Sequence, residues 1–261
     1  MNLEVIGRES KTAQSHTPLL FVHGSCHGAW CWAENFLDYF ATHDYSSYAL
    51  SLRGHGQSDG KDVVQWASVK DYVADVAQVA NGLPRPPVLI GHSLGGLVVQ
   101  KYLEKYNVPA AVLMASSPAS GMFLRGLSLF WQRPMLFTKT FLTLDVQTVY
   151  RTPALVQEML FSASIEKAKV TRYAERFGKE SFRAFLEMMF YLPNPRKVKS
   201  PMLVLGAAND AIVRPRAIEN TGQAYHAAVK IFPDMAHDMM LEDGWEDVAA
   251  YIRQWLQTKG L

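Results

Sequence analysis

The stretch Gly91-His92-Ser93-Leu94-Gly95-Gly96 constrains this chain more than any other. The apolar run Val88-Leu89-Ile90 leads into it. Leu97, Val98, Tyr102 and Tyr106, at helical spacing, lead out of it. A G-x-S-x-G pattern between a strand and a helix is a sharp turn that lifts the serine hydroxyl above the end of a sheet. Small residues must flank the serine there, and glycine also tolerates strained backbone angles. Ser93 is therefore the candidate nucleophile. The bland alternative is a chance glycine-serine turn, but the strand before, the helix after and the extra Gly96 weigh against it. A serine hydroxyl attacks poorly unless a base takes its proton, so a histidine and a carboxylate are required further along.

The rest of the chain fits that demand. Leu19–Val22, Tyr48–Leu50, Ala110–Met114, Met202–Leu205 and Val229–Phe232 are short apolar runs, each followed closely by Gly, Pro or polar turn residues. Such runs suit strands buried on both faces of a parallel sheet. Between them, Val69, Tyr72, Val73, Val76 and Val79 recur at three- and four-residue spacing, and Val248, Tyr251, Ile252 and Trp255 do so near the end. Alternation of this kind predicts an α/β fold. From residue 119 to 197 strand signals cease and helical spacing dominates, as in Phe182, Phe185, Leu186 and Met189. The expected organisation is one discontinuous core, residues 1–118 and 198–261, interrupted by a helical insertion over 119–197.

The acid and base follow from chain order. After Met202–Leu205 comes Gly206-Ala207-Ala208-Asn209-Asp210, and Asp210 is the best-placed carboxylate. Its bland reading is a loop aspartate capping the next helix. After Val229–Phe232 comes Pro233-Asp234-Met235-Ala236-His237, and His237 is the expected base. His226, on the preceding helical segment, is expected to have a surface or packing role. The order Ser93, Asp210, His237 is the one that this strand–turn–helix arrangement uses. Acyl transfer also needs donors aimed at the developing oxyanion. The Leu94 backbone N–H is one candidate. The other lies in the loop His23-Gly24-Ser25-Cys26, with Ser25 preferred over Cys26.

Composition excludes several classes. The 261 residues carry a net charge of +2, which argues against a general nucleic-acid binder. No apolar run approaches the roughly 18 residues of a membrane span. The first residues show no basic stretch followed by an apolar one, so a cytoplasmic location is expected. Two cysteines, Cys26 and Cys31, make neither a disulfide framework nor a trustworthy metal spacing, so buried thiols are expected. His23, His27, His55 and His92 fall near strand ends without zinc-ligand spacing and are expected to orient loops. Neither a metal nor a cofactor is called for.

Taken together, HGSCHGAWCW, LRGHGQSD, GHSLGG, GAANDAIVRP and PDMAHDMMLED resemble, in order, the α/β-hydrolase superfamily. GHSLGG is similar to the carboxylesterase, monoacylglycerol lipase and acyl-lactonase branches. The resemblance implies an eight-stranded, mostly parallel sheet flanked by helices, with residues 119–197 as a lid. Haloalkane dehalogenases and epoxide hydrolases of this fold carry aspartate where Ser93 stands. Plant hydroxynitrile lyases share the look of HGAWCW but place lysine after the histidine, where this chain has Asp238.

The insertion holds 12 Lys and Arg against 6 Asp and Glu, so the remainder of the chain is net acidic. It also holds 9 of the 13 Phe. A solvated basic face is the plain account of the charge, with attraction of anionic substrates the sharper one. Its apolar side chains either bury one face of each helix or line an acyl pocket. Phe123, Phe130, Trp131, Phe137, Phe141, Met159, Phe185, Met188, Met189 and Cys26 are the candidate substrate contacts. The expected function is a serine hydrolase cleaving carboxylic esters with an apolar acyl group. A lactonase, for example of acyl-homoserine lactones, would use the same residues. A non-catalytic ligand receptor on the fold is the alternative from another class. The expected partner is a small-molecule ester or lactone; nothing in the sequence fixes the oligomeric state.

Overall fold

The computed structural model describes residues 1–11 and 16–261. Seven strands form one sheet among them: β1 Val5–Arg8, β2 Leu19–Val22, β3 Ser47–Leu50, β4 Val88–His92, β5 Ala111–Met114, β6 Met202–Ala207 and β7 Ala228–Phe232. Their spatial order is β1-β3-β2-β4-β5-β6-β7. All neighbouring pairs are parallel except β1 with β3. The expectation of eight strands is corrected to seven described ones. The mostly parallel sheet stands.

Both faces of the sheet are covered, which is why its central strands read as unbroken apolar runs. Side chains alternate between two cores at the strand period of two. Leu19 and Phe21 of β2, with Val112 and Met114 of β5, join one core. Leu20 and Val22, with Ala111 and Leu113, join the other. Helix Val69–Gly82 starts on a reciprocal cap: Ser68 accepts from the Asp71 N–H, and the Asp71 carboxylate accepts from the Ser68 N–H.

The chain order reverses at β2: β3 lies on one side of it and β4 on the other. Ligands of open α/β sheets bind outside the carboxyl ends of strands at such a point. The loops after β2 and β4 therefore meet there. The insertion enters between β5 and β6 and has helices Phe123–Gln132, Pro134–Thr143, Pro153–Leu160, Lys167–Ala174 and Phe182–Phe190.

Candidate active site

Ser93 ends the turn between β4 and helix Leu94–Leu103 with φ +50° and ψ −117°. A non-glycine residue there is strained by roughly 1–3 kcal/mol and persists only where its surroundings hold it. Here the Ser93 N–H donates to the Met114 carbonyl, and its carbonyl accepts from Ser117 and Gly96. Tight packing explains the flanking glycines. A Cβ on Gly91 would lie 2.6 Å from the Gly95 carbonyl oxygen, and one on Gly95 would strike the Val22 and His23 carbonyls.

Three residues distant in sequence form one hydrogen-bonded chain. His237 Nδ1 lies 2.8 Å from Asp210 Oδ2, and His237 Nε2 lies 2.9 Å from Ser93 Oγ. A carboxylate only accepts, so Nδ1 carries the proton and Nε2 accepts from the serine hydroxyl. Asp210 is itself oriented: its Oδ1 accepts from the N–H groups of Ile212 and Val213 at 2.7 and 2.8 Å. Burial disfavours a charged His237, but Asp210, and more weakly Asp238, outweigh it and hold the imidazole above its ordinary pKa. His226 sits outside this set, closing helix Pro215–Tyr225 in a left-handed conformation.

The neighbouring histidines brace the loops. His92 Nε2 donates to the His237 carbonyl at 3.0 Å. Burial first, and the nearby His237 second, push its pKa down to about 3. His23 donates from Nδ1 to the Gly24 carbonyl and accepts at Nε2 from the Leu52 N–H. His27 donates to the Ser25 carbonyl and to Asp238 Oδ2. Asp238 is thus buried against His27, and its side chain is not among those lining the cavity above Ser93. His92, His237 and Asp238 converge closely enough to suggest a cation site. Yet both His237 nitrogens already serve Ser93 and Asp210, and His27 takes one Asp238 oxygen. A metal there would have to break that chain.

The loop after β2 is held from the insertion. Cys26 has φ +63°, and its two backbone groups are both taken. Its N–H donates to Glu180 Oε2 at 3.1 Å, and its carbonyl accepts from the Gly178 N–H at 2.8 Å. Glu180 also accepts from the Tyr72 hydroxyl and the Ser181 N–H and faces His55 at 3.4 Å. Burial opposes its ionisation, but His55 and these hydrogen bonds prevail and keep it below the ordinary carboxylate range. Nothing local in the sequence marks Glu180, because Cys26, Tyr72 and His55 lie more than 100 residues away from it. Both cysteines are buried free thiols, and burial pushes each well above its usual pKa.

A narrow cavity of about 70 Å³ lies over Ser93 and Ser25. Phe137, Met159, Phe185, Met188 and Met189 line it. Cys26, Phe123, Phe130, Trp131 and Phe141 are not among the residues lining this cavity. Helical phase is the reason. Met122, Gly126 and Leu129, four and three residues apart, face the cavity. Phe123 and Phe130 come one residue later, about 100° round the helix, and Trp131 is 73% exposed. Phe141 packs edge-on against Phe182, and Cys26 is fully buried beneath the loop. Sequence reasoning missed Ser117, Val146, Val149, Tyr150, Ile212 and Val213, which complete the lining.

Among the described residues no helix is long and apolar enough to cross a membrane. Two solved structures superpose over nearly the whole chain and share its fold. An esterase from Thermogutta terrifontis has a TM-score of 0.77 at 20% identity, covering 98% of this chain and 93% of that one. A monoacylglycerol lipase from Paleococcus ferrophilus has 0.71 at 21%, covering 99% and 100%. In sequence, the chain is 32% identical over 101 residues to methyl jasmonate esterase 1 of Vitis vinifera, 37% of this chain and 38% of that protein. It is 37% identical over 105 residues to a non-heme chloroperoxidase of Streptomyces lividans, 39% and 37%. The chain therefore spans less than two fifths of the length of these curated relatives. The model of the alpha/beta hydrolase family, in contrast, matches residues 19–251, from β2 into the last helix, and this chain belongs to that family.

Proposed function

We propose that the chain is a serine hydrolase of carboxylic esters. The observation that carries this is the continuous chain Asp210–His237–Ser93, with steps of 2.8 and 2.9 Å, ending at the floor of an apolar cavity. Ser93 Oγ attacks the ester carbonyl carbon while His237 Nε2 takes its proton. Two N–H groups stabilise the oxyanion. Leu94 is the first residue of its helix, so its N–H has no partner within that helix. In the β2 loop the Cys26 N–H is already engaged by Glu180, which favours Ser25 as the second donor. His237 then returns the proton to the leaving alcohol, and water repeats the sequence on the acyl-enzyme. Residues 119–197 act as the lid that roofs the cavity. Five of the ten expected contacts lie in its lining, and they are apolar, which supports an apolar acyl group.

The cavity is small. Its walls leave only about 70 Å³ open to water-sized groups. Short acyl chains are the expected fit. The test is labelling by a fluorophosphonate together with turnover of p-nitrophenyl butyrate. Ser93 is expected to carry the label, and Ser93→Ala to lose both label and turnover. Turnover retained in Ser93→Ala would overturn the mechanism.

A further inference from the structure

Beside the cavity lies a second space that the proposed reaction does not use. It is an open groove of about 710 Å³, some ten times the cavity's volume. The two spaces meet at Met122, Met189, Ile212 and Val213, which line both. Two of these are methionines, the most adaptable apolar side chains.

The groove has an unusual charge pattern. Phe123, Leu124, Phe190 and Leu192 give it apolar walls. Arg125, Arg214 and Arg216 also line it, and no carboxylate does. Arg125 is partly buried, yet its guanidinium meets only neutral acceptors: the Ala211 and Ile212 carbonyls and the Ser128 hydroxyl. Arg214 and Arg216 are exposed, with no ion pair or side-chain hydrogen bond among the described residues. On the insertion, Arg133, Arg172, Arg176 and Arg183 each meet a carboxylate, whereas Arg151 and Arg196, outside the groove, have no ion pair among the described residues. Arg125 feels the charge of nearby Asp210, but Arg214 and Arg216 have no carboxylate partner, and guanidinium groups so placed against apolar walls suit a ligand that is apolar along its length and anionic at its end.

We propose that the groove is a subsite for a carboxylate or phosphate group carried by the ester at its end remote from the scissile bond. Arg214 and Arg216 hold the anion, and Arg125 adds its charge from the groove wall. This rests on the hydrolase reading of Ser93 and narrows its substrates to anionic amphiphilic esters.

The test compares monomethyl adipate, dimethyl adipate and methyl 6-(phosphonooxy)hexanoate as substrates. The wild-type chain is expected to favour an anionic ester over the neutral one in kcat/KM. In Arg214→Gln/Arg216→Gln that preference should fall roughly tenfold or more, the scale of one charge-assisted hydrogen bond. The anion with the larger fall identifies which group the site takes. Lys139→Gln, which removes a lid charge outside the groove, should leave the preference in place. Calorimetry of adipate and hexyl phosphate on Ser93→Ala protein reads the same site without turnover, and the arginine pair should again account for the affinity. Three results overturn the subsite: no binding of either anion, no change in the double variant, or an equal change in Lys139→Gln. Failure of the hydrolase reading shows separately, as turnover surviving Ser93→Ala.

Discussion

At the scale of single residues, the proposed reaction makes His237 set the pH dependence. A base must be neutral to take the Ser93 proton. Asp210 and Asp238 together override burial and raise the pKa of His237 above its ordinary 6.5. The acid limb of kcat/KM is therefore expected above pH 6.5, with activity rising as pH passes through the raised value. In Asp210→Asn the limb should move to lower pH while kcat falls by roughly 10⁴-fold. A pH–rate profile of both forms checks this. Stability runs the opposite way. A raised pKa contributes stability that is complete below about pH 6.5 and is lost as pH rises through the folded value. Urea unfolding across that range should show the loss, and Asp210→Asn should flatten it. Ser25 supports a second prediction. Its residue lines the cavity, and its buried hydroxyl has no hydrogen-bond partner among the described residues. A group so placed is expected to meet the substrate oxygen, so Ser25→Ala should lower kcat/KM about tenfold. An unchanged value would leave only the backbone of Ser25 in play. Ser93, Asp210 and His237 could be read from sequence because each sits just beyond an apolar run and their order is restrictive. Glu180 could not, because its role depends on Cys26 and Tyr72, which only the fold brings near.

Among elements, the elbow and the β2 loop are coupled by close contact. Gly95 lies against the carbonyls of Val22 and His23, which are backbone and cannot swing away. Gly95→Ala must therefore displace β2 or the helix. The expected cost is about 1–3 kcal/mol, with turnover lost out of proportion, read by thermal melting beside kinetics. Glu180 secures the same loop from the insertion. Glu180→Ala would leave the Cys26 N–H and the Tyr72 hydroxyl without their acceptor and His55 without its countercharge. Breaking one side of a buried pair costs about 3–5 kcal/mol. Urea denaturation should register that, and kcat should fall more than KM rises, because the loop carries the proposed oxyanion donor. The legibility of elements follows the same physics. The central strands are apolar on both faces and stand out. β1, Val-Ile-Gly-Arg, is an exposed edge strand with no apolar run, so its pairing with β3 leaves no mark in the sequence. The insertion was visible as helical, but which face of each helix looks inward depends on neighbours that the local pattern does not encode. That is why Phe123 and Phe130 were grouped with Phe137 although only Phe137 lines the cavity.

Across the whole molecule, the proposed reaction is divided between the sheet and the insertion. Ser93 and its partners lie at the end of the sheet, while most of the cavity wall comes from helices between β5 and β6. In the proposed reaction, chemistry and chain-length preference would then be carried by different parts of the chain and should be separable. Each buried methylene contributes about 0.8 kcal/mol, or roughly fourfold in kcat/KM while the cavity is filling. A p-nitrophenyl ester series should rise by about that factor per carbon, then break once the 70 Å³ is full. Phe185 is half-buried, lines the cavity and packs against Phe141 and Phe182 rather than any member of the Asp210–His237–Ser93 chain. Phe185→Ala should move the break to longer acyl chains and leave the pH dependence where it was. If the break stays at the same carbon number, the substrate's acyl chain does not occupy this cavity. If the pH limb shifts with it, the insertion is also setting the environment of His237, and the two roles are not divided between sheet and lid.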